Sequence, residues 1–337
     1  MKKYRFFEVF ISLLIISGMW MSCGSAGNDA NNSNDSIPAA LAEINNKIKS
    51  DPSNAGLYND RATYYHNLPD NAKALQDIRR ALTIDSTKSD FYVTLGDIYL
   101  ATDKYTSSES AYLKAVKIDP GYAKALLRLA KFRIIFKNYE EAFDLIQTVV
   151  SKDKMNADAY YLAGFTYMEK GDTLSAIKNF LSATEINQNH FDSYIRLGIL
   201  YSTKHEKLAE GYFKNALRIK PGDQAAHYFL ALFYQENGQA DKAISTYDAL
   251  LVINPKYRDA WYNLGYIQMS EIFDFGKAIE YYEKAIMIDA NYIEAIMNRG
   301  YCFERLGEYE KAEVDYKKVL GIKPNYPKAI EGLNRLK

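Results

Sequence analysis

The sequence predicts an all-α solenoid, a stack of helix pairs in which each pair touches only its neighbours. Three observations carry that expectation. Apolar residues recur at helical spacing, the pattern repeats with a period near 34 residues, and small residues recur at two fixed places in each period. The unit is plainest at residues 258–292. There Trp261-x-x-Leu264-Gly265 opens one helix, and Ala278, Ile279, Tyr282, Ala285, Ile286 and Ile288 line a second. A turn is expected around residues 274–276. Neither helix can bury its apolar face alone, so the unit needs copies on both sides.

Length alone, 337 residues, suggests two ordinary domains; the repeats point instead to one array. Lys+Arg and Asp+Glu both total 42, which argues against a dedicated nucleic-acid binder, where a basic excess supplies the phosphate contacts. Tyrosine is frequent at 29 residues. The two cysteines, Cys23 and Cys302, lie far apart with no metal-type spacing. Cys302 falls on an apolar helix face and reads as a small buried hydrophobe.

Residues 1–22 carry Lys2, Lys3 and Arg5 before an apolar run at 9–21. The run is short for a membrane span of about 20 residues and suits the apolar region of a signal peptide. It ends at Ser22-Cys23-Gly24, which resembles a bacterial lipoprotein signal, although Trp20 and Met21 depart from that pattern. An ordinary signal peptide and an uncleaved anchor are the alternatives. The resemblance implies that Cys23 is acylated, with palmitate among its chains, and becomes the mature N-terminus. Two or more chains exceed what stable anchoring requires. Gly24 in place of Asp implies the outer membrane, on its periplasmic side. Residues 23–36 then form the lipidated cysteine and a flexible Asn/Ser/Gly tether, whose thirteen residues after Cys23 span roughly 20 Å as a random coil. Asp35-Ser36-Ile37 also resembles an O-glycosylation site, and whether Ser36 is modified stays open.

Residues 37–54 read as a lone second-type helix, a half-repeat with Leu41, Ile44 and Ile48. The register locks at 55, giving units 55–88, 89–122, 123–156, 157–190, 191–223, 224–257, 258–292 and 293–326. Residues 327–337 form a capping helix with Ala329, Ile330, Leu333 and Leu336. Position 8 holds Ala62, Gly96, Ala130, Gly164, Gly198, Ala231, Gly265 and Gly300. Position 20 holds Ala74, Ser108, Ala142, Ala176, Ala209, Ala243, Ala278 and Ala312. Two helices that cross closely need small residues there, and larger ones would overpack. Position 11 is mostly tyrosine, with Arg133 and Gln268 as departures; position 24 is Ile, Tyr or Phe. Prolines follow the second helices at Pro52, Pro120, Pro221, Pro255 and Pro324.

This pattern over 55–326 resembles the tetratricopeptide repeat (TPR) family. The resemblance implies a right-handed superhelix whose first helices line a groove, chiefly through positions 2, 5, 9, 12 and 13. Carried onto this chain, the groove comprises Leu127, Lys131, Ile134, Ile135, Tyr161, Phe165, Met168, Ile195, Ile199, Tyr228, Leu232, Tyr262, Tyr266, Met269, Met297, Tyr301 and Arg305. Repeats one and two are more polar there, with Asn59, Thr63, His66, Asp90 and Asp97. Apolar rows of this kind mark interaction sites, or are partly buried between adjacent units. The carboxylate clamp of chaperone-binding members is matched only by Lys124 and Arg128. The asparagine ladder of glycosyltransferase-type members is reduced to Asn263 and Asn298.

No P-loop, G-x-G-x-x-G, H-E-x-x-H or Cys–His pairing occurs. His66, His190, His205 and His227 fall in different repeats at different positions, so no metal site or cofactor is expected. The sequence therefore points to a non-enzymatic, membrane-anchored scaffold of the bacterial envelope that takes partner peptides or helices in its groove. The alternatives are a self-assembling structural component of secretion, pilus or gliding machinery, and an adaptor of a periplasmic protease or cell-wall hydrolase. The partner's identity and any homo-oligomer stay open.

Overall fold

The computed structural model describes residues 38–203 and 207–337. The expected leader, Cys23, the tether through Ser36, residue 37 and His205 lie outside the described residues. All regular structure among the described residues is helical, and none of these helices is long and apolar enough to cross a membrane. The chain divides into two compact units between Gln188 and Asn189.

The first unit begins with α1 (Ala39–Ser50). Four helix pairs follow: α2 (Ala55–Asn67) with α3 (Asn71–Ile84), α4 (Ser89–Leu100) with α5 (Tyr105–Ile118), α6 (Ala123–Ile135) with α7 (Tyr139–Lys152), and α8 (Ala157–Glu169) with α9 (Thr173–Ile186). The second unit holds α10 (Phe191–Ser202) with α11 (Leu208–Ile219), α12 (Gln224–Glu236) with α13 (Ala240–Ile253), α14 (Arg258–Ile267) with α15 (Phe275–Ile288), and α16 (Ile293–Arg305) with α17 (Tyr309–Ile322). It ends on α18 (Pro327–Arg335). Within each unit the closest packing is inside a pair. Neighbouring first helices also touch one another, and second helices do so less.

The packing inside each pair explains the small residues. All sixteen residues at positions 8 and 20 are buried. A Cβ added to Gly164 would lie 2.8 Å from the Phe180 ring and 3.1 Å from the Ala176 carbonyl oxygen. The same collision faces Gly96 with Tyr112, Gly198 with Phe213, Gly265 with Tyr282 and Gly300 with Tyr316. Position 8 is thus the seat for the position-24 ring. Where position 24 is the narrower Ile78 or Ile146, position 8 is Ala62 or Ala130. Repeat six departs, with Ala231 beside Tyr247. Ser108, the one hydroxyl at position 20, donates to the Gly96 carbonyl oxygen at 2.9 Å, so its buried polar group is satisfied.

Two further devices recur. At positions 7 and 23, repeats one and eight place bidentate ion pairs, Arg61 with Asp77 at 2.7 Å and Arg299 with Asp315 at 2.7–2.8 Å. Elsewhere position 7 holds Leu95, Leu129, Ala163, Leu197, Leu230 and Leu264, so the pair replaces apolar packing rather than adding to it. Between repeats, an Asp or Asn just past the second helix accepts the backbone N–H two residues on. Asp85 does so from Thr87 at 2.8 Å, Asp119 from Gly121 at 2.8 Å, Asp153 from Met155 at 2.9 Å and Asp289 from Asn291 at 3.0 Å. These Asx turns fix the link geometry.

Repeat seven corrects the sequence expectation. Its extra residue does not lengthen a turn at 274–276, because Asp274 is already the cap of α15 and Gly276 lies inside that helix. The insertion is absorbed earlier, as a π-helical turn at Gln268–Ile272 closed by Phe273 in the left-handed region. The Gln268 carbonyl oxygen accepts from the N–H groups of both Phe273 and Asp274. Widening the helix by one residue keeps Gln268 buried and leaves the pair in register. Trp261 is half-buried against Tyr281, with its indole N–H donating to the Pro255 carbonyl oxygen at 2.9 Å. Cys302 is fully buried, and burial pushes its thiol up to about 12, so it is an inert apolar filler.

Gly164→Ala should therefore cost about 1–3 kcal/mol of unfolding free energy by overpacking. In a Phe180→Ile background the same change should cost at least about 1 kcal/mol less, a coupling that urea denaturation of the four-member cycle measures. Strict additivity would contradict the seat-and-ring pairing.

Candidate functional site

In the first unit the first-helix face is polar at one end and apolar at the other. Asp90 on α4 gathers three donors: Asn59 Nδ2 at 3.1 Å, the Tyr122 hydroxyl at 2.9 Å and Lys124 Nζ at 2.5 Å. Burial pushes the Asp90 carboxyl up, but these donors outweigh it and hold the group below its ordinary value. Asp97 accepts the Tyr112 hydroxyl at 2.7 Å and Arg128 Nε at 3.1 Å. Lys124 and Arg128, the two residues that match a carboxylate clamp, are thus each paired with an aspartate of this chain. Further along, Leu127, Lys131, Tyr161 and Met168 are half-buried and Ile135 is exposed. Ile134 and Phe165, by contrast, are buried at 3% exposure each. Tyr161 stacks on Phe165 and packs on the Phe180 ring at 5.7 Å.

In the second unit the face is built from tyrosines in layers. Tyr228 (position 5) packs on Tyr247 (position 24) at 6.2 Å and on Tyr257, which ends the repeat, at 5.4 Å. One repeat on, Tyr262 packs on Tyr282 at 5.8 Å and on Tyr292 at 5.2 Å. The asparagines of the next first helices stitch these layers together. Asn263 Nδ2 donates to the Tyr247 hydroxyl at 2.9 Å, with the Tyr228 hydroxyl at 3.5 Å, and Asn298 Nδ2 donates to the Tyr262 hydroxyl at 3.2 Å. Asn263 and Asn298 therefore act inside the fold. Burial pushes the phenols of Tyr228, Tyr247, Tyr257, Tyr282 and Tyr292 well above their ordinary range, so they stay neutral hydrogen-bonding groups.

Around those layers Ile195, Ile199 and Leu232 are half-buried against the core. Tyr266 and Met269 are also half-buried, and the Met269 sulfur accepts the Tyr282 hydroxyl at 3.6 Å. Tyr301 and Phe275 meet edge to face at 6.5 Å, with the exposed Arg305 guanidinium 4.9 Å from the Phe275 ring. Tyr228 and Met297 are buried, at 8% and 6% exposure. Of the two readings of the row, burial within the fold holds at Ile134, Phe165, Tyr228 and Met297. Tyr228, at position 5, lies over its own repeat's position-24 ring and closes against the layer instead of facing outward.

One acidic residue of this face was missed. Glu236, at position 13 of repeat six, ends α12 half-buried, and burial pushes its carboxyl up to about 7. Counting position 13 along the chain, as for Ile135 and Arg305, would have found it. Among the described residues it faces no cation, and its charge in turn raises the Tyr228 and Tyr247 phenols. No group of His, Cys, Asp and Glu among the described residues is arranged to hold a metal ion.

Because the folded carboxyl holds its proton from the ordinary 4.5 up to about 7, the folded state binds the extra proton in that window. Stability then falls as pH rises through it, with the loss complete above about 7. Glu236→Gln should remove this loss, making the variant more stable than the parent near pH 8 but not near pH 4. The gain should be on the order of 1 kcal/mol, discounted for the solvent that still reaches the carboxyl. Urea denaturation at both pH values measures it, and parallel pH profiles would contradict it.

Comparison with known proteins agrees with this architecture. Tetratricopeptide repeat models match residues 89–122, 157–190 and 259–292, residues 206–268, and residues 293–326. Human protein O-mannosyl-transferase TMTC3 is 25% identical over 260 residues, which are 74% of this chain and 26% of that protein. TPR repeat-containing protein MJ1428 of Methanocaldococcus jannaschii is 26% identical over 191 residues, 54% of this chain and 34% of that one. The chain thus spans between a quarter and about a third of the length of these relatives. The crystal structure of the C-terminal part of a TPR repeat-containing protein from Cytophaga hutchinsonii aligns with a TM-score of 0.60 at 23% identity. That alignment covers 71% of this chain and 98% of the other. With repeat models matching more than half of its length, and a fold of stacked helix pairs to agree, the chain belongs to the tetratricopeptide repeat family.

Proposed function

We propose that the chain is a non-enzymatic scaffold that binds a peptide or helix of a partner protein on the first-helix faces of its repeats. The observation that carries this reading is the partly or fully exposed apolar and aromatic rim left on those faces once the packing residues are set aside. Ile135 and Met168 belong to it in the first unit, and Ile199, Leu232, Tyr266, Met269 and Tyr301 in the second. Such side chains are large, partly desolvated already and flanked by polar neighbours, as binding anchors are. The human relative carries an enzyme's name, but only about a quarter of its length is matched, so that name is no argument for catalysis here.

The sequence at Ser22-Cys23-Gly24 supports a second element of the proposal. The chain is exported, acylated at Cys23 and held at the bacterial envelope, on the periplasmic face of the outer membrane. A scaffold tethered within roughly 20 Å of a membrane by a polar linker would gather its partner at that surface.

Tyr262 is engaged with Tyr282, Tyr292 and Asn298, so the test falls on Tyr266 and Tyr301, which are half-buried. Tyr266→Ala combined with Tyr301→Ala should at least halve the partner recovered from detergent-solubilised envelope, with the melting temperature retained. Unchanged recovery would sink the groove reading. Cys23→Ser should move the protein from the membrane to the soluble fraction, and persistence in membranes would argue against the lipid anchor.

A further inference from the structure

The first-helix face carries acidic groups in both units, and four of them have their counter-charge within the chain. Asp90 has Lys124, Asp97 has Arg128, Asp259 has Arg258 at 2.8 Å and Glu304 has Arg335 at 2.7 Å. Glu236 differs. It is half-buried, and among the described residues it has neither a cation nor a hydrogen-bond donor. It is also the last residue of α12, at the carbonyl end of the helix dipole, where a negative charge is disfavoured. A desolvated carboxylate without a partner is costly, so local stability does not account for it.

Its surroundings suit a cation. Gln235, the residue before it, accepts the Tyr247 hydroxyl at 3.0 Å, which brings the end of α12 against the phenol edge of the tyrosine layer. Tyr228 and Tyr247 feel the charge of Glu236, and Tyr228 and Tyr257 feel that of Asp259. A carboxylate attracts an ammonium or guanidinium group. The half-buried Leu232, one turn earlier on α12, offers apolar contact for the stem of such a side chain.

We infer that Glu236 is the receptor for a basic side chain, Lys or Arg, carried by the partner segment that lies along the second unit's first-helix face. The inference rests on the groove reading above and gives it a chemical class: a segment with apolar anchors and one cation set against the end of α12. The pairing supplies the missing counter-charge to a carboxylate that the fold has already half removed from water.

The test uses the full-length chain in detergent and a random peptide library displayed on phage. Selected peptides should share a Lys or Arg at one fixed spacing from their apolar anchors. For a selected peptide, Glu236→Gln should weaken binding about tenfold, equivalent to about 1.4 kcal/mol. Replacing the peptide's basic residue by Ala should weaken binding to the parent equally, but cost nothing further against the Glu236→Gln variant. Glu271→Gln, a carboxylate exposed on the π-helical turn, should leave binding unchanged. Peptides that need Tyr266 but show no such coupling to Glu236 would overturn this inference and leave the groove reading standing. Peptides indifferent to both residues, or no selection at all, would overturn both.

Discussion

The structure depends on one close approach, that of the position-24 side chain onto the position-8 backbone within each helix pair. At Gly96, Gly164, Gly198, Gly265 and Gly300 the ring occupies the space a methyl group would need. The seat sets the distance between the two helices, and with it the depth of everything else in the repeat. A bulky ring with a glycine and a slimmer isoleucine with an alanine are two solutions to the same spacing. This is why residue identity can vary down the chain while the fold does not.

The character of the first-helix face follows from that seat. A ring seated on position 8 turns its far edge toward the face, where its hydroxyl must find a partner. Tyr112 reaches Asp97, Tyr247 reaches Gln235 and Asn263, and Tyr316 reaches Glu304. Side chains beside those hydroxyls are drawn into the core, so the layer is shared between packing and surface. What remains outward is a rim of half-buried residues over rigid aromatic floors, together with the carboxylate of Glu236. A binding face assembled this way is pre-organised, because its floor is held by the same contacts that hold the fold.

The repeat fold was legible in the sequence because a 34-residue period with two invariably small positions has no other simple physical cause. The site was legible only in part. Position arithmetic found Tyr266, Met269 and Tyr301, but it could not tell them from Tyr228 or Met297. Whether a position-5 side chain faces outward depends on the ring at position 24 and on the tyrosine ending the repeat, neither of which is its sequence neighbour. Asn263 and Asn298 read as remnants of a recognition ladder because hydrogen bonds to buried phenols leave no sequence signature. The π-helical turn at Gln268–Ile272 was hidden for a related reason. A one-residue insertion has the same sequence trace in a loop as in a widened helix.

A partner on the first-helix face makes a directional statement that photocrosslinking in the intact cell can check. A crosslinking amino acid replaces either Tyr266, on the first-helix face, or Val252, which is 84% exposed on the second helix α13. Adducts that form with a defined partner at 266 and not at 252 are the predicted result. Adducts at 252 alone, or equally at both, would contradict a binding face on the first helices.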